Sequence, residues 1–185
     1  MKTVYLHYSP EEEIPAGPCI RRRKLVKYYT RETLAAVLAA ATLLDGVDIP
    51  PQTPFYYASA DVENFDCFRE VFEKMTAAGI STFDAERYLA FAPPTSQFKI
   101  MRNMVPCFVS IEHGLTGDNN VIVDSASALL YAALTAPSDG PVLIGAGYLH
   151  ADDSVEAGFA LVRPDELAGH PLLGTAAPAM DIFKA

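Results

Sequence analysis

The stretch NMVPCFVSIEHGLTGDNNVIVDSASALL, Asn103–Leu130, decides the reading of this chain. Its first part, from about Met104 to His113, is apolar at helical spacing and ends at Gly114, a residue suited to a left-handed helix end. Pro106 is tolerable there if it lies in the first turn, where its missing N–H costs little. A polar turn follows. NVIVD is then a strand of β-branched residues. SASALLYAALTA is a second apolar helix. Together these make a strand-to-helix elbow, the layout that presents a nucleophile.

Outward from this stretch, strands and helices alternate. Residues 2–8 alternate like a strand, and SPEEEIPAGP is a loop. From about Arg22 to Leu44 the Ala- and Leu-rich pattern predicts one helix, stopped by Asp45-Gly46. FYYASA is a short apolar strand. In DVENFDCFREVFEKMTAAG, the residues Phe65, Phe68, Val71, Phe72 and Met75 form an apolar stripe at helical spacing. Core packing explains it, and Gly79 suits the helix end. ISTFDAERYLAFAPPTSQ reads as irregular, with Pro93-Pro94 forcing an extended connection. PVLIGAGYL is a buried strand, hairpinned through HADDSV to the strand EAGFALVRP. The tail from about Asp165 reads as loosely structured. The fold class is therefore α/β, a mixed sheet of about five strands packed with helices in one domain over 1–185.

Bulk properties narrow the function. The chain has 185 residues, half of them hydrophobic, which suits one domain with a real core. A net charge of −9 with 14 basic residues argues against nucleic acid as a partner. The one basic run, Arg21–Lys24, reads as a solvated face. Cys19, Cys67 and Cys107 are scattered, without a CxxC, so neither a disulfide framework nor a metal site is indicated. LAAVLAAATLL is too short to span a bilayer, and the N-terminus lacks a signal peptide's apolar core, so a cytoplasmic location without membrane insertion is expected.

The elbow resembles the N-terminal half of a beta-ketoacyl synthase, a condensing enzyme of the thiolase-like fold. That family shows a helix beginning Asn-Met, a GLxGP turn, a strand, and then TAC with the nucleophilic cysteine. Here NMVPCFVSIEHGLTGD and NNVIVDSA match without a gap. Asn103, Met104, Gly114, Leu115 and Gly117 coincide, and Asp118 replaces the family's proline. VLIGAGY resembles the strand VMVAGGAE. The likeness runs from about Arg21 to Pro164, and only its middle motif is specific.

Along that match Ala126 stands in the place of the nucleophilic cysteine. Alanine offers no sulfur whose pKa a helix N-terminus could lower. Ser127-Ala128-Leu129 also stands where the family carries a glycine. The family's C-terminal half brings a histidine pair, or a histidine and an asparagine. His7, His113, His150 and His170 do not match it. The resemblance thus implies a thiolase-like half-fold without the family's catalysis and without a cofactor. It would act in fatty acid or polyketide (polyene-type) assembly like a chain length factor. The expected state is a homodimer, or a heterodimer with a ketosynthase, with acyl carrier protein a further partner. In the family the strand before the elbow pairs across the dimer axis.

Other residues offer other chemistry. Ser125 or Ser127 as nucleophile would make an acyl-thioester transferase, hydrolase or decarboxylase, but needs a base and an oxyanion hole. Strand alternation points Asp124 away from Ser125, and capping of the next helix better explains both. Cys107 reads as a small buried hydrophobe, and His113 as a helix-end residue with a capping or cationic role. His150, Asp152 and Asp153 read as a turn. A third reading is an acyl-pantetheine binding module, its pocket formed by Phe108, Ala126 and the Gly145–Gly147 strand.

Overall fold

The computed structural model describes residues 1–60, 66–92, 98 and 101–184; of 66–70 it describes the helix alone. Five strands form one sheet: β1 Lys2–Tyr8, β2 Phe55–Ser59, β3 Asn119–Val123, β4 Val142–Leu149 and β5 Val155–Val162. Their spatial order is β1-β5-β4-β2-β3. β2 runs parallel to both β3 and β4, while β5 is antiparallel to β4 and β1. The described helices are α1 Arg31–Leu44, α2 Asp66–Ala77, α3 Ala85–Phe91, α4 Met104–His113, α5 Ala126–Leu134 and α6 Pro164–Leu167, with short 3-10 turns between some of them. The mixed α/β architecture expected from the sequence is present.

The central strands alternate their side chains between two cores, because successive residues point to opposite sheet faces. Phe55, Tyr57, Leu143 and Phe159 face one core with α1 and α4. Tyr56, Ala58, Ile144 and Ala146 face the other with α5. On the first face Ala35, Ala36, Ala39 and Ala40 are fully buried. Their small side chains let α1 lie close on the sheet, beneath an aromatic cluster of Phe55, Tyr57 and Phe159 with centroids 5.8–6.2 Å apart.

Most ends follow local chemistry. Gly114 closes α4 at φ +71°, its N–H bonded to the Ser110 carbonyl. Pro106 is buried in the first turn of α4. Ser125 caps α5 by accepting from the Ala128 N–H at 3.2 Å. The β4–β5 hairpin turns at His150–Ser154, where Asp152 Oδ1 accepts from the Ser154 N–H (3.0 Å) and hydroxyl (2.6 Å).

Four expectations change. The helix predicted from Arg22 is a 3-10 turn over Arg23–Tyr28, and α1 begins only after Thr30, whose Oγ1 accepts from the Thr33 N–H. The segment read as irregular contains α3, capped by Asp84, which accepts from the Arg87 N–H. In the apolar stripe Val71 and Met75 are buried but Phe72 is exposed, its ring against Phe83. The tail is packed rather than loose: Leu167, Ala179, Met180, Ile182 and Phe183 are all buried in the core beside α5. Pro93-Pro94, Phe65 and the side chains of Cys67 and Phe68 lie outside the described residues. No helix among the described residues is long and apolar enough to cross a membrane.

Candidate functional site

The elbow stands at the carboxyl end of the parallel strands, the end where open α/β sheets bind ligands. Ala126 opens α5 and is fully buried. Its N–H donates to the Ala177 carbonyl at 3.0 Å. Asp124 Oδ1 accepts from the Ala179 N–H at 2.9 Å, and Ser127 Oγ accepts from the Gly174 N–H at 2.8 Å. Three of the four residues Asp124–Ser127 are therefore bonded to the 174–179 segment. The fourth, Ser125, is spent on its own helix cap. Backbone N–H groups at such an elbow are the natural donors to an oxyanion; the Ala126 N–H is already occupied.

The tail is fixed from a second point. Lys184 Nζ lies 2.9 Å from Glu156 Oε2 and 5.6 Å from the centre of the Tyr5 ring. The lysine and the Tyr5 hydroxyl hold the Glu156 carboxyl below its ordinary pKa, although burial, the largest influence, pushes the other way. His150 Nε2 is 3.8 Å from Glu156 Oε1. No group of metal-ligating side chains occurs among the described residues.

Phe108 and Ala126, expected to line one pocket, are not brought together. Phe108 packs on Tyr29 in the core beneath α1, at 4.7 Å between ring centroids. Ala126 belongs to the core on the opposite face. Gly145–Gly147 divides likewise. Gly147 faces α1, where a Cβ would collide with the Tyr57 hydroxyl and lie 2.6 Å from Glu32 Oε1. Ala146 faces α5. Neither Cys19 nor Cys107 has an activated thiol, because burial raises both. His113 does not become a readily charged helix-end cation. Burial lowers its pKa first of all, a hydrogen bond to the Val37 backbone opposes this, and Nε2 is buried without a partner.

Two carboxyl groups bonded to remote segments, Glu112 buried and Glu32 partly buried, were missed by the sequence reading. Glu112, fully buried on α4, accepts from the Arg21 N–H at 2.5 Å, the Arg22 N–H at 3.1 Å and the Tyr29 hydroxyl at 2.5 Å. Glu32, in the first turn of α1, accepts from the Tyr57 hydroxyl at 2.8 Å. Neither is flagged by spacing, since each partner lies on a remote segment.

Burial raises the Glu32 carboxyl above its ordinary value, and the Tyr57 bond only partly offsets this. A carboxyl raised on folding contributes most at low pH. Its contribution is lost as pH climbs from the ordinary value through the raised one. Glu32→Gln is therefore expected to melt above the parent at pH 8 and to lose that advantage near pH 4.5, the ordinary value. Thermal melts across that range check the sign.

Comparison of the chain with protein-family models and with curated proteins gives no match.

Proposed function

We propose that this chain is a non-catalytic, ketosynthase-like subunit of thiolase-like half-fold. It assists fatty acid or polyketide chain assembly in the cytoplasm, in the manner of a chain length factor. The observation that carries the absence of catalysis is the elbow itself. The nucleophile's place holds buried Ala126, and its N–H is taken by the Ala177 carbonyl. The serine alternative is disfavoured by the same geometry. Ser125 caps α5 and Ser127 accepts from Gly174. The ketosynthase part of the reading rests on the likeness of the Asn103–Ala126 stretch.

The dimer is supported by the edge strand β3. The Asp118 carbonyl and the Asp124 N–H both face β2. By alternation the N–H and C=O groups of Asn119, Val121 and Val123 face outward. Val123 is exposed, as are Ile111 on α4 and Tyr131 on α5. Such an edge invites strand pairing, and a two-fold axis at Val121 would pair Asn119 with Val123 of a second copy.

The test is intact-protein mass after incubation with acyl and malonyl thioesters, with sedimentation at rising concentration. No adduct and a dimer are expected, and Val121→Pro should give a folded monomer, because it removes only an outward N–H. A stable adduct on Ser125, Ser127 or a cysteine overturns the non-catalytic reading. A parent chain monomeric at high concentration, both alone and with a ketosynthase, overturns the subunit reading.

A further inference from the structure

We propose that the cationic segment Arg21–Lys27 is a docking platform for a short acidic, partly apolar stretch of a partner protein. Arg21, Arg22, Arg23, Lys24 and Lys27 are five of the chain's 14 basic residues, and all are exposed. Among the described residues none of the five makes an ion pair with a carboxylate.

The platform is held in place. Glu112 receives the N–H groups of both Arg21 and Arg22, and the following residues form a 3-10 turn. The main chain is thus ordered before any partner arrives, which lowers the entropy lost on binding. Apolar surface lies beside the charge. Val26 is exposed, and Tyr28 meets the exposed Phe98 edge-on at 5.3 Å. Lys27 lies over the Tyr28 ring at 4.9 Å. Cations interleaved with apolar groups suit a segment carrying Glu or Asp together with Leu or Phe.

Charge distribution favours a compact peptide over an extended polyanion. Outside the platform nine bases face 23 acids, a net of −14. Duplex nucleic acid or an anionic membrane would bring much of its charge near that surface. A short segment stays within about one Debye length, ~8 Å at physiological salt, of the platform. This inference does not depend on the ketosynthase-like reading.

The probe is a short fluorescent peptide rich in Glu and Leu, read by anisotropy with the full chain. Binding should weaken about tenfold or more between about 0.05 and about 0.3 M salt. The double variant R22E/K24E should lose it by a similar factor, with an unchanged melting curve, because only exposed side chains are altered. R163E, a cation outside the platform that is paired with Asp165, should bind like the parent. No binding by the parent, undiminished binding by R22E/K24E, or tighter binding of single-stranded DNA or anionic vesicles than of the peptide would each overturn the proposal.

Discussion

Replacing Glu112 by alanine is expected to cost about 3–5 kcal/mol, because three donors lose their acceptor at once and each orphaned donor costs about 1–3 kcal/mol. The donors are the Arg21 and Arg22 N–H groups and the Tyr29 hydroxyl. A cavity beneath the 3-10 turn adds to the loss. Glu112→Gln keeps the volume and one carbonyl acceptor, so its loss should be about 1–3 kcal/mol. Chemical denaturation of both variants measures the difference. A loss confined to the alanine variant, with Glu112→Gln as stable as the parent, would mean that volume, rather than acceptance of three hydrogen bonds, is what Glu112 contributes. The alanine variant should also loosen the platform, seen as faster amide exchange at Arg21 and Arg22 while β4 and β5 stay protected.

Gly117→Ala is the second large effect, expected at about 3 kcal/mol or more, the upper end for an overpacked site. A Cβ there would collide with the Gln52 carbonyl oxygen and lie 2.6 Å from the Thr53 oxygen. Both obstacles are main chain, so no rotamer change relieves them. Nearby, the Thr116 N–H bonds to the Pro51 carbonyl at 2.6 Å, and Asp118 Oδ2 accepts from the Tyr56 hydroxyl at 2.7 Å. Burial first, and then Asp118, push that hydroxyl's pKa up to about 12. A displaced 116–118 turn would carry β3 with it and disturb the edge proposed for pairing. Gly114→Ala makes the contrast. Its φ of +71° disfavours a side chain, but a Cβ would meet open space. Its cost should stay near about 1 kcal/mol. A melting comparison in which Gly114→Ala is the worse variant would reverse the argument.

The elbow was legible because its signals are local. The left-handed end at Gly114, the β-branched run of β3 and the cap at Ser125 depend on neighbours within about one helical turn. The hairpin at His150–Ser154 and Pro106 in a first turn were readable for the same reason. Where local signals competed, the reading failed. The run from Arg22 to Leu44 has continuous helical composition. The structure interrupts it because Glu112 captures two amides before Thr30 starts a new helix. α3 carried a readable cap in Asp84, obscured by the Gly, Ser, Thr and Pro around it. The tail's small residues suggested looseness, yet a few large side chains, Met180, Ile182 and Phe183, are buried against α5 and the sheet.

By itself the sequence determined the α/β alternation, five strands and a strand-to-helix turn with Ala126 at the start of its helix, since periodicity, caps and residue identity are properties of adjacent positions. Tertiary structure alone decided what closes that elbow and what orders the cationic platform. The contacts responsible join residues far apart: Asp124 to Ala179 across 55 positions, Ser127 to Gly174 across 47, and Arg21 to Glu112 across 91. No pattern in a short window specifies such pairs. They form when alternating faces of one sheet bury two cores, and each core brings its own remote segments to the strand ends.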